Sequence, residues 1–184
     1  MIRRMALVAG AAAMTMAAAL AGAVPAHAAA PHGVACDLTG SAKFTPGLKS
    51  TTGKSAYTFT GKFASCQSSD ATLKTGTVSA KGTATGTCAS GTSTGVAGLI
   101  WSNKKVTALS YTTTSAGAVV AVQSKVVPKV VIGLTTYITN EPATLKNDQG
   151  ASVLAFNADA TKCSTTTGIT TATFQGPTGS GNYQ

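Results

Sequence analysis

Hydroxyl groups are the most abundant chemistry in this chain, with 30 Thr and 16 Ser after residue 28. Ser or Thr becomes a nucleophile only beside a base that a third group holds in place, and bases are scarce. Of the two histidines, His27 falls in an N-terminal leader and His32 in the Pro- and Gly-containing segment behind it. Ser–Lys catalysis needs a buried lysine of lowered pKa, whereas lysines spread along polar strand faces serve solubility. Paired carboxylates would have to come from Asp37, Asp70, Glu141, Asp148 and Asp159. Glu141 and Asp148 share one polar loop, a setting of solvated acids rather than of an acid–base pair. Glu141, Asn147, Asp148 and Gln149 lack the regular oxygen spacing of a calcium loop. No two cysteines stand in CxxC, and one histidine cannot complete a zinc centre. No Arg follows Arg4, which excludes bidentate guanidinium clamps on phosphate or carboxylate. The expectation is no catalytic set, no metal and no cofactor: not an enzyme.

The leader is legible. Arg3 and Arg4 form a positive start, Ala6 to Val24 is apolar, and Ala26-His27-Ala28 fits a small-x-small cleavage site. Residues 1–28 therefore read as an export signal, 29–176 as a single β domain and 177–184 as a mobile tail. No later apolar run is long enough to cross a membrane, so no integral membrane segment is expected after cleavage. Four cysteines in an exported chain imply two disulfides with three possible connectivities. Cys36–Cys66, around a hairpin, and Cys88–Cys163, tying the middle of the chain to its end, are the preferred pairs.

Elements follow from period-2 alternation and from a composition poor in helix formers. Cys36, Leu38, Ala42 and Phe44 share one strand face, and Tyr57, Phe59 and Phe63 share a face on the next. Pairing Phe44 with Tyr57 and Ala42 with Phe59 joins the apolar faces. It also sets Cys36 opposite Ser65, so a Cys36–Cys66 bond requires a bulge near Ser65. Residues 73–88 alternate a Thr-rich face with a small one, Gly76, Val78, Ala80, Gly82 and Ala84, which can accept bulky aromatics. Further strands are expected at 96–101, 106–113, 118–127, 130–138, 152–156 and 169–174, with a turn at Asn103-Lys104 and a stop at Pro128. The whole reads as an all-β antiparallel sandwich or partly closed barrel of about eight or nine strands.

Without the leader, 12 Lys stand against five acids, a formal net charge of +7. The lysines are scattered from Lys43 to Lys162, which argues against nucleic acid and favours weak attraction to an anionic cell-wall polymer or simple solubility. Trp101 and Tyr111 would neighbour each other in a 96–113 hairpin, a possible ligand platform for polysaccharide, although Trp101 also fits a core position. The threonine stripe at 75–87 is explained by β-propensity. The expectation is thus a secreted or envelope-associated non-enzymatic β domain. A secreted enzyme (protease) inhibitor presenting loop 45–53 or 140–150, a protein–protein adaptor, and an enzyme with an unrecognised site are the alternatives.

Phe44-Thr45-Pro46-Gly47-Leu48, the strand ending in Cys66, Gly86-Thr87-Cys88-Ala89-Ser90-Gly91, Leu99-Ile100-Trp101-Ser102-Asn103, and the Cys163 to Gly176 segment resemble a group of small exported β-rich proteins of actinobacteria, of the streptomycete and nocardia type. The resemblance covers most of the mature chain. It implies a secreted β domain with structural cysteines and brings no catalytic residue with it.

Overall fold

The computed structural model describes residues 33–140 and 149–181. The leader, His32, Glu141, Asn147, Asp148 and the last three residues lie outside the described residues. Ten strands follow in chain order: β1 (Gly33–Leu48), β2 (Gly53–Ser68), β3 (Gly76–Gly86), β4 (Ser90–Trp101), β5 (Val106–Ala116), β6 (Val119–Val127), β7 (Lys129–Ile132), β8 (Thr135–Ile138), β9 (Gln149–Asn157) and β10 (Ile169–Gly181). A short 3₁₀ turn (Ala160–Ser164) precedes β10.

Eight strands close into an antiparallel barrel in the order β1-β10-β9-β6-β5-β4-β3-β2, and β7-β8 is a separate hairpin. Each barrel strand pairs with its neighbour in the chain once that hairpin is set aside, an up-and-down barrel without sheet edges. Of the sandwich and the partly closed barrel expected, the barrel is the one formed, and its closure is complete. Closure depends on β10, which pairs with β1 from Ile169↔Leu48 to Gly181↔Gly33. The tail expected to be mobile from residue 177 is thus strand as far as Gly181. Backbone pairing holds it, which an apolar pattern could not reveal. Likewise 130–138 is two strands rather than one, because Gly133 takes φ +59° and turns the chain.

The register of β1 on β2 is Phe44↔Tyr57 and Ala42↔Phe59, with a shift between Ala35 and Asp37. Ser65 sits there at φ +52°. This is the bulge that lets Cys36 meet Cys66 across adjacent strands. Stepping between partners from Phe44 through Tyr57, Gly82, Gly95, Tyr111, Ser124, Gly150 and Ser180 returns to β1 at Val34. That is a stagger of ten residues around eight strands, the shear that closes a tilted barrel.

Alternation sorts the faces. Leu38, Phe63, Val78, Ala80, Ala97, Leu99, Val120 and Leu154 are buried inside the barrel. Lys43, Thr58, Lys62, Thr77, Lys81, Thr83 and Thr94 stand on the outer face and are exposed. The β7-β8 hairpin lies on the outer face of β4 and β5, with Val130 buried and the Tyr137 ring where a side chain at Gly98 would be. Asn140 fixes its exit by pairing with Val106 through both its backbone N–H (3.0 Å) and its side-chain oxygen (2.7 Å).

The two ends differ. At one, the 69–75 loop folds inward, leaving Leu73 1% exposed. Ser102 Oγ holds that loop by donating to the Thr72 carbonyl (2.9 Å). At the other, the Cys88–Cys163 disulfide joins the β3–β4 loop to the turn before β10. These two connections lie on opposite sides of the barrel order, so the bond spans the mouth. Cys88 N–H donates to the Lys49 carbonyl (2.8 Å), Ser50 N–H to the Cys163 carbonyl (2.9 Å) and Gly117 N–H to the Ala89 carbonyl (2.7 Å), knitting four connections into one rim.

Candidate functional site

The barrel encloses a cavity of ≈ 220 Å³. Eight strands leave room for either a filled interior or one small ligand. Here the interior is not filled, because β3 and β4 contribute Ala80, Gly82, Ala84, Gly95 and Ala97 to the inner face. The wall combines Phe59, Leu109, Val122, Phe156 and Phe174 with the hydroxyls of Tyr57, Ser93, Tyr111, Thr113, Ser124 and Ser152. Phe174 packs edge-on against both Phe59 and Phe156, at centroid distances of 5.9 and 5.3 Å. None of the described residues lining it carries a charge.

Polar groups gather at one place. Tyr57 lies opposite Gly82, Gly82 opposite Gly95, and Gly95 opposite Tyr111. Two glycines between two tyrosines leave space for both rings to lean inward over the sheet. The phenol oxygens meet at 2.8 Å. Tyr57 Oη also bonds Ser93 Oγ at 3.0 Å, and Ser93 Oγ bonds Thr113 Oγ1 at 2.7 Å. Burial pushes both phenols above their ordinary pKa, Tyr111 most, and the neighbouring Tyr57 adds to its shift. Both therefore stay neutral and keep their protons at physiological pH. The cluster can exchange hydrogen bonds, and among the described residues no base is hydrogen-bonded to it.

The other candidates are placed elsewhere. Trp101 is buried in the core, stacked on Phe63 at 5.6 Å, and its indole N–H donates to Thr107 Oγ1 at 2.8 Å. Tyr111 pairs with Gly95, six residues along β4 from Trp101, roughly 20 Å of strand. The two share the inner face: Trp101 takes the core position it fits, and the alternative of a ligand platform formed with Tyr111 on the surface is corrected. Burial of apolar area and the indole partner decide the place of Trp101. Asp37 is exposed on the outer face of β1. Asp70 and Asp159 each head an Asp-Ala-Thr turn, and each Oδ1 accepts from the backbone N–H and hydroxyl of the threonine two residues on. Those bonds lower both carboxyl pKa values, and among the described residues neither acid faces a partner carboxylate. Among the described residues no three metal-ligating side chains cluster.

Lys74-Thr75-Gly76 and Ser102-Asn103-Lys104-Lys105 also spell the KTG and SxxK motifs of Ser–Lys acyl transfer. SxxK works where a helix brings positions i and i+3 to one face. Here it spans a tight turn with Lys104 at φ +66°, and Ser102 Oγ is engaged by Lys74 N–H, Thr75 N–H and the Thr72 carbonyl.

Tyr57 was legible as an inward aromatic, and the small β3 face as its floor. Ser93 and Thr113 were not, because one hydroxyl residue among 46 carries no signal until register places it beside a phenol. No family model matches the chain, and no curated protein or solved structure matches it either.

Proposed function

We propose that this chain is an exported, non-enzymatic binding domain that holds one small uncharged molecule inside its barrel. The observation that carries this reading is the lumen of ≈ 220 Å³, without a charge among its described lining residues and apolar over most of its wall, with one cluster of linked hydroxyls. A dry apolar cavity of about 150 Å³ takes up benzene, so this space suits a molecule of one or two rings. The two disulfides fit an oxidising compartment, in line with the leader.

NMR titration of the isotope-labelled mature protein with toluene tests the reading. Saturable shifts confined to inward positions such as Ala97, Leu109 and Tyr111, abolished by Ala84→Phe, support it. Shifts confined to the outer face, or none at millimolar toluene, overturn it.

A second reading concerns the outer surface. A concave patch beside Lys43, Thr58 and Lys81 faces solvent. Lys43 and Lys81 flank Thr58 on neighbouring strands. Lysines so placed attract an anionic wall polymer or polysaccharide without bidentate recognition. Retention on isolated cell wall that disappears at high salt is the expected behaviour, and salt-resistant retention contradicts it.

A further inference from the structure

We propose that the lumen selects neutral, ring-sized molecules carrying a hydrogen-bond acceptor such as a ketone oxygen, which docks on the Tyr111–Tyr57–Ser93–Thr113 hydroxyl chain. This rests on the reading of the lumen as a binding site and names its ligand class.

Proton parity leaves one donor of this hydroxyl chain unused. Four hydroxyl groups supply four protons. Three contacts link them: Tyr111 to Tyr57, Tyr57 to Ser93, and Ser93 to Thr113. Each contact uses one proton, so one O–H is left over whichever way the chain is oriented. Among the described residues, neither terminal hydroxyl, Tyr111 or Thr113, has a further side-chain hydrogen-bond partner. Both line the cavity. A half-buried donor left without a partner against a mostly apolar wall is costly, and the lumen offers this one to whatever occupies it.

The rest of the wall narrows the class. Phe59, Phe156 and Phe174 form an aromatic side, which suits a ring. Among the described residues, none that lines the lumen carries a charge. A carboxylate entering the lumen would therefore lose its hydration without gaining a cation, a penalty larger than one hydrogen bond returns. A pure hydrocarbon would fit but would leave the surplus proton unmet.

Ethylbenzene, acetophenone and benzoate, similar in size and different in polarity, provide the test by calorimetric or ligand-detected NMR titration of the mature protein. Acetophenone is expected to bind about tenfold more tightly than ethylbenzene, with benzoate unbound. The Tyr57→Phe, Ser93→Ala, Tyr111→Phe, Thr113→Val quadruple variant replaces the whole chain with groups of similar shape, and should bring acetophenone and ethylbenzene within about twofold. Equal affinities in the native protein, or a preference that survives the quadruple substitution, would overturn the ligand class while leaving the lumen reading intact, whereas preferred binding of benzoate would overturn both the ligand class and the uncharged occupant. Failure of all three probes to bind would overturn both. Should the quadruple variant not fold, the comparison of the three probes on the native protein decides alone.

Discussion

The phenol oxygens of Tyr57 and Tyr111 lie 2.8 Å apart although β3 and β4 separate their strands. Gly82 and Gly95, side by side between them, make this contact possible. A Cβ at Gly95 would stand 2.5 Å from both the Lys81 carbonyl and the Tyr111 hydroxyl. One glycine does the same work lower in the barrel, where Gly76 separates Phe63 from Trp101 and the rings stack.

Gly95→Ala is therefore expected to destabilise the barrel by about 1–3 kcal/mol through overpacking. Gly53→Ala, where nothing lies within 4 Å of the added atom, is the control. It should change stability by no more than roughly 0.5 kcal/mol. Urea unfolding of both variants checks the difference, and equal effects would contradict the role given to Gly95.

The tyrosine pair sets an alkaline limit. Burial raises the folded-state pKa of both phenols above the unfolded value of 10.0. Below that value both states are protonated, and the full contribution to stability is present. As pH rises past it the unfolded chain ionises first, so stability falls. The decline should begin near pH 10 and be shallower in Tyr57→Phe/Tyr111→Phe. A stability profile that the double substitution leaves unchanged above pH 10 would contradict this.

Reduction should cost several kcal/mol. Cys36–Cys66 and Cys88–Cys163 close separations of 30 and 75 residues, each worth roughly 4 kcal/mol by chain entropy. Cys163→Ala is expected to cost at least as much as Cys36→Ala. Hydrogen exchange adds the location: loss of Cys163 should speed exchange in the rim at 87–89 and 158–168 before it affects the 69–75 end. Unchanged urea midpoints, or loosening first at the far end, would argue otherwise.

Leu73 and Trp101 close the other end, at 1% and 4% exposure. Leu73→Ala should destabilise by about 2–5 kcal/mol. Trp101 emission should be blue-shifted, weakly quenched by acrylamide and indifferent to soluble sugars. A red, readily quenched spectrum would return Trp101 to the surface.

Much of this was written in local alternation. The Phe44↔Tyr57 register, the bulge that a Cys36–Cys66 bond requires near Ser65, and the small inner face of β3 follow from matching apolar faces on neighbouring strands, whereas Cys88–Cys163 joins two loops across the mouth and rests on chain position alone. Closure was not legible. The second half of β10, Gly176-Pro177-Thr178-Gly179-Ser180-Gly181, has no apolar alternation and is held by backbone pairing to the start of β1. The site was half legible for the same reason. Tyr111 announced itself as an aromatic on a strand, but its distance from Trp101 and its contact with Tyr57 depend on register around a closed ring.

The most direct test of the account is diffraction from crystals of the protein without residues 1–28 soaked in bromobenzene, recorded at the bromine edge. One anomalous peak inside the barrel, beside Leu109, Tyr111 and Phe174, is the expected result. Peaks confined to the outer face, or a lumen closed by inward movement of its own side chains, would contradict the claim that this barrel is built around a ligand.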